Sequence, residues 1–280
     1  MRSPAQNAQL ALLLEVTGTP KPGNVDRTHE YDDLRFEQFV AGAVSAMGGL
    51  RLAQNGGAVG RSFERSVVGM ANQSGGNTQF GALLLVIPLV CTTAKDTTEE
   101  LGPKRVTETV TSTTVEDAVD FYRAFEHVEV AVADPPDDLD ALDVRRGAAA
   151  ESAIRARERT LYDVMELSVP GDLVAREWTT GFEDSFRVAD SLAEQSGPVA
   201  DRAATTYLEL LAERPDSFVE TKHDQQTAID VMERAQAARN GDLDPERLAD
   251  ELVTAGINPG ATADIIAAGL YIALERGLSV

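Results

Sequence analysis

Apolar residues in this chain recur at three- and four-residue steps and almost never at two, a spacing that commits most of its length to α-helix. Phe36, Phe39, Val40, Ala43, Val44, Met47, Leu50 and Leu52 trace one such stripe, which the pair Gly56-Gly57 closes. The turn Gln73-Ser74-Gly75-Gly76 separates helices expected over 61–72 and 77–91. Further helices are expected over 115–132, 148–167, 171–195, 198–213, 224–240, 245–255 and 259–276. Between them, 93–114 reads as an exposed loop around Gly102-Pro103, and Asp134-Pro135-Pro136-Asp137-Asp138 as an acidic connector. Alternation suited to strands is confined to two weak stretches, 128–132 and 218–221. The pattern predicts an all-α fold, a single domain over 1–280 with about ten helices around a buried central helix layer. A nucleotide fold built on alternating strands and helices is excluded.

With 43% hydrophobic residues the chain can bury a core without staples. Its charge is the outlier, 46 acidic against 25 basic side chains for a net −21, with Lys21, Lys95, Lys104 and Lys222 the only lysines. Such a field repels nucleic acid and anionic membrane at long range, so neither is expected as a partner. A carboxylate-rich, lysine-poor surface suits a halophilic protein whose self-repulsion is screened by salt. Cys91 is the only cysteine, which excludes an internal disulfide and an all-cysteine zinc site. It falls in the longest apolar run, 80–91, where a buried small hydrophobe is expected. That run holds Pro88 and is too short to span a bilayer, and the apolar stretch 10–14 is too short for a secretory signal. The expected location is cytoplasmic.

Three segments carry residues better suited to chemistry than to packing. In Thr19-Pro20-Lys21-Pro22-Gly23-Asn24-Val25-Asp26 the prolines hold an extended path and Gly23 allows close backbone approach. Lys21 suits a phosphate, and Asp26 a metal or a proton. On local chemistry alone, a solvated proline-rich connector explains them slightly better. Gly75-Gly76-Asn77-Thr78-Gln79-Phe80-Gly81 opens a helix, with Asn77 or Thr78 as cap and free N–H groups suited to an anion. Plain capping explains it equally well, but the helix that follows is apolar throughout, which sets this end near the interior. In Asn258-Pro259-Gly260-Ala261-Thr262-Ala263-Asp264, cap and proline start a helix whose only ionisable side chain before Glu275 is Asp264. A carboxylate there needs a cation, a metal or a hydrogen-bond donor. A neighbouring helix end or arginine would serve as well as a ligand. His29, His127 and His223 are too scattered for a metal-ligand spacing, and Trp178 is expected in the core or at its rim.

Together, Glu15-Val16 with Pro20 to Asp26, Gly76-Asn77-Thr78-Gln79-Phe80-Gly81 and Pro259 to Asp264 resemble the triphosphoribosyl-dephospho-CoA synthase family. A weaker piece is Asp216-Ser217-Phe218-Val219-Glu220-Thr221-Lys222-His223. The resemblance spans most of the chain, and its first and last motifs are the specific ones. It implies an all-helical transferase that uses ATP and dephospho-CoA. The acceptor's 2′-hydroxyl attacks C1′ of the ATP ribose, adenine departs, and a cofactor precursor results. It further implies Mg²⁺ on the triphosphate. Asp26 and Asp264 are then the expected catalytic and metal-binding carboxylates. Lys21, Pro22, Gly23, Asn77, Thr78, Gln79, Gly81, Asp216, Lys222, Pro259, Gly260 and Thr262 would bind nucleotide or acceptor. Gln79 and Phe80 stand where family members commonly carry His and Lys, which removes a proton carrier and a cation. That departure leaves open the same chemistry on another acceptor, such as a pterin or aromatic cofactor precursor. A non-catalytic nucleotide-binding helical protein is the remaining alternative.

Overall fold

Sixteen α-helices and three short 3₁₀ segments, with no strand, make up the described part of a computed structural model that covers residues 2–95, 99–135 and 139–280. In chain order the helices are α1 (Pro4–Thr17), α2 (Phe36–Ser45), α3 (Met47–Gln54), α4 (Val59–Met70), α5 (Phe80–Ala94), α6 (Pro103–Thr111), α7 (Val115–Ala124) and α8 (Glu151–Ala156). They continue as α9 (Leu161–Ser168), α10 (Leu173–Thr180), α11 (Glu183–Glu194), α12 (Val199–Leu211), α13 (Ser217–Lys222), α14 (Gln225–Arg239), α15 (Pro245–Thr254) and α16 (Gly260–Glu275).

The all-α expectation holds, with more and shorter helices than the apolar stripes suggest. The stripe from Phe36 to Leu52 is two helices that meet at Ala46, and the stretch 171–195 breaks at Gly181-Phe182. The expected loop at 93–114 contains α6, because Gly102-Pro103 starts a helix instead of breaking one: Pro103 occupies the first turn, where its missing N–H costs nothing. Residues 96–98 of that stretch lie outside the described residues, as do Pro136, Asp137 and Asp138 of the acidic connector. Residues 218–221 are helical within α13, and the expected helix 115–132 stops at Ala124. The first helix has a start signal of its own, a reciprocal cap between Ser3 and Gln6 with Pro4 behind it.

Two helices, α5 and α16, are apolar all round and therefore lie inside. α16 packs against α1, α5, α11 and α12, while α3 and α4 cover α5 from the other side. Cys91 on α5 is buried, and its thiol is pushed up to about 12, chiefly by desolvation, so it serves as a packing group. No described helix is long and apolar enough to cross a membrane.

Pro88 interrupts α5 midway and cannot donate to the carbonyl of Leu84 one turn earlier. The fully buried Trp178 of α10 fills that gap, with its indole N–H donating to Leu84 O at 3.2 Å. A sequence defect in one helix is thus repaired by a side chain of another, which fixes α10 against α5. Trp178→Phe should cost about 1–3 kcal/mol for the stranded carbonyl, with a further loss for the void. Pro88→Ala in the same chain restores an N–H to Leu84 and should recover part of it. Urea denaturation of the two single variants and the double reads this coupling; strict additivity would contradict it.

Candidate functional site

The chain between α1 and α2 folds inward around two charged groups. Lys21 is fully buried: its Nζ is ion-paired with Glu15 of α1, donates to Asn24 Oδ1 at 2.8 Å and lies 5.8 Å from the Tyr207 ring centroid. Asp26 accepts from the backbone N–H groups of Lys21 (2.9 Å), Thr28 (2.8 Å) and His29 (2.9 Å) and contacts His29 Nδ1 at 3.0 Å. Burial alone would raise the Asp26 carboxyl, but these donors outweigh it and hold it below the usual carboxylate range.

This segment is stitched to the chain entering α16. Asn24 Nδ2 donates to Asn258 Oδ1 at 2.8 Å, and the Tyr31 hydroxyl donates to the Gly23 carbonyl and lies 3.1 Å from that of Ile257. Tyr207 OH donates to Pro22 O at 3.0 Å and lies 3.4 Å from Pro259 O. Gly23 sits at φ +76°, and a Cβ there would come within 2.8 Å of Pro259 Cδ, so only glycine permits the approach. Asp216 is fully buried, caps α13 through Phe218 N and Val219 N, and accepts from Thr262 N and Oγ1 at 2.7 Å each. Asp216 and Thr262 therefore lock α13 to the first turn of α16.

The remaining segment joins from α5. The N-cap of α5 is Gln79, not Asn77 or Thr78 as the sequence suggests, though Asn77 Oδ1 does accept from the N–H of Phe80, the first residue of the helix, at 3.0 Å. Asp264 projects from α16 against the same helix end, where the Ala82 N–H donates to its carboxyl. A Cβ on Gly81 would overlap that carboxyl, lying 2.7 Å from Asp264 Cγ. Burial, with the nearby carboxylates of Glu15 and Asp216, pushes Asp264 well above its ordinary value. Gln79 is buried, its amide N–H donating to Leu12 O at 3.2 Å, and among the described residues its Oε1 and Thr78 Oγ1 find no partner.

These groups form one end of a cavity of about 460 Å³. Its polar end presents Glu15, Asn24, Asn77, Asp172, Asn258 and Asp264; the rest of the lining is mostly apolar, with Phe121, Phe125, Val130, Met165 and Leu167, and also carries Asp134 and Asp143. Phe80 joins the two, its ring 4.9 Å from that of Phe125 and tilted 65° to it. No Lys, Arg or His is found among the described residues that line it.

Of the expected site residues, Asn77, Thr78, Gln79, Gly81, Gly260 and Asp264 line this cavity. Lys21, Pro22, Gly23, Asp26, Asp216, Pro259 and Thr262 stand behind its wall and hold the three segments together. Lys222 is exposed on α13, its Nζ 5.8 Å from the ring centroid of Phe218, which does line the cavity. Glu15, like Asn24, Phe80 and Asn258, lines the cavity without a role assigned from the motifs. Its signal was the one used for Asp264: it is the only ionisable side chain in the apolar face of its helix.

Among the described residues no three His, Cys, Asp or Glu side chains converge as a metal site. Both Asp26 oxygens are engaged by the loop, and Asp264 meets a helix end, so this pair does not fit a resident Mg²⁺.

A sequence model of the CitG family, described as ATP:dephospho-CoA triphosphoribosyl transferase, matches residues 1–279. The chain belongs to the CitG family. A crystal structure of an Archaeoglobus fulgidus protein, described provisionally as a triphosphoribosyl-dephospho-CoA synthase, superposes with a TM-score of 0.68 at 26% identity, over 85% of this chain and 99% of that one. No curated protein matches. CitG membership implies ATP:dephospho-CoA triphosphoribosyl transferase activity, and it is this all-helical frame that brings the three motifs of the CitG chain to one cavity.

Proposed function

We propose that the cavity between α1, α5, α10 and α16 is where ATP and dephospho-CoA meet, and that ribosyl transfer takes place at its polar end. The observation that carries this reading is the convergence there of three segments distant in sequence, each contributing a lining residue: Asn24, Gly81 and Asp264. A hydroxyl attacks C1′ of the ATP ribose while adenine departs, and positive charge develops on the sugar as it does in glycoside hydrolysis. Glu15 and Asp264 place a proton acceptor and a proton donor at that spot, Glu15 with the negative potential. The apolar lobe suits a planar base or an apolar arm, with Phe80, Phe121 and Phe125 as faces and edges for stacking.

The triphosphate extends toward the rim at α13, where Lys222 meets it as a point charge. Mg²⁺ brought in with the nucleotide would neutralise charge that this wall cannot. Lys21 and Asp26 act one step back, by holding Glu15 and the loop in place.

Purified protein incubated with ATP, Mg²⁺ and dephospho-CoA in molar KCl should release adenine, followed by chromatography, only when the acceptor is present. Tight ATP binding without adenine under any acceptor would overturn the proposal. Lys222→Ala should raise KM for ATP about fivefold with little change in kcat, the signature of a uniform phosphate contact.

A further inference from the structure

Of the carboxyl groups that line the cavity, Glu15 and Asp264 come from different helices and sit in opposite electrostatic settings. Glu15, on the last turn of α1, is ion-paired with the buried Lys21, which Asn24 also holds. Asp264, in the second turn of α16, has no cation against it. Its neighbours are the carboxylates of Glu15 on α1, Asp216 ahead of α13 and Asp172 at the cap of α10, together with the Ala82 N–H of α5. Around Glu15 the charged groups are Lys21, Asp26 and Asp264. A cation beside a carboxyl favours its ionised form, whereas neighbouring carboxylates in a desolvated wall favour the protonated one. Environments that separate two like groups in this way assign an acid and a base.

We propose that Glu15 is the general base that takes the proton of the acceptor hydroxyl, and that Asp264, as a carboxylic acid, is the general acid that protonates the departing adenine. The assignment rests on the ribosyl-transfer reading and adds the proton path to it. The acceptor oxygen forms its bond to C1′ as its proton passes to the Glu15 carboxylate. The C1′–N9 bond breaks, its electron pair leaves with the base, and the Asp264 proton goes to an adenine ring nitrogen, so that neutral adenine departs. Glu15 returns its proton, and Asp264 recovers one, through solvent as products leave. A protonated Asp264 keeps its carbonyl oxygen for the Ala82 N–H and has its hydroxyl free to donate. Burial raises both carboxyls; Lys21 opposes the rise at Glu15, while at Asp264 the neighbouring carboxylates add to it, the order that a base and an acid require.

The two roles separate experimentally by leaving group. ATP methylated at N7 carries a positively charged base whose departure needs no proton. Asp264→Asn should lower adenine release from ATP by about 10²–10⁴-fold, and with methylated ATP its turnover should return to within about tenfold of wild type. The double variant Glu15→Gln/Lys21→Met, which leaves no unpaired buried cation, should be slowed to a similar degree and gain nothing from methylation. The wild-type rate should fall at low pH as Glu15 is protonated and at high pH as Asp264 ionises; Asp264→Asn should lose the high-pH limb alone. Asp264→Asn equally slow on both nucleotides, or unable to bind ATP, would overturn the assignment, as would rescue of the Glu15 double variant. Wild-type protein that releases no adenine from ATP would instead overturn the transferase reading, and this proposal with it.

Discussion

Gly81→Ala should lower turnover about 100-fold while leaving the protein folded, because a displacement of about 1 Å at a reacting group is enough for such a loss. The added methyl would overlap the Asp264 carboxyl. Asp264 must then turn away from the cavity, or α16 must shift against α5. Stability is not what suffers most: overpacking costs about 1–3 kcal/mol, and alanine recovers roughly 1 kcal/mol of helix propensity over glycine. Steady-state kinetics beside a thermal melt read the two effects separately. A fully active Gly81→Ala would mean that the position of Asp264 against α5 is immaterial to the reaction.

Lys21→Met should be the most destabilising single change near the site, by about 3–5 kcal/mol, because it strands Glu15 as a buried charge without its cation. The double Lys21→Met/Glu15→Gln should recover most of that loss, since no charge is then left behind. The pH dependence has a definite sign. Glu15 is already raised by burial, and without Lys21 it rises further. A carboxyl whose folded pKa exceeds its unfolded value favours the fold below the unfolded value, and that benefit is lost as pH rises through the folded one. Lys21→Met should therefore regain stability as pH falls from 8 toward 5, approaching the double variant. Urea midpoints at the two pH values make the comparison, and a single variant insensitive to pH would contradict the pairing.

Helix class and the buried central layer were legible because periodicity reports which face of a segment is apolar. Breaks were less so. Gly102-Pro103 reads equally as a loop or as a helix start, and the α6 outcome depends on Val106 and Val110 finding a buried place. The three motifs were visible as departures from amphipathic pattern, and Asp264 was visible as a lone carboxylate in an apolar helix. What spacing could not convey was partnership. Lys21 looks like a phosphate ligand until Glu15, from the preceding helix, takes it. Asp26 looks like a metal ligand until the backbone of its own loop occupies it. Glu15 obeys the same rule as Asp264, but the short apolar stretch 10–14 does not by itself mark α1 as a helix, so its isolation is not legible. The negative charge of the chain acquires a local meaning as well. With no cation among the described lining residues, this wall opposes the approach of anions, so on the proposed reading the charge of the two substrates must be met from outside it.

The most direct test of the account is the product itself. Mass spectrometry of a single-turnover reaction with ATP and dephospho-CoA should show one triphosphoribosyl group added to dephospho-CoA for each adenine released, with the triphosphate intact. Adenine accompanied by free ribose triphosphate, or ADP with unmodified dephospho-CoA, would contradict it.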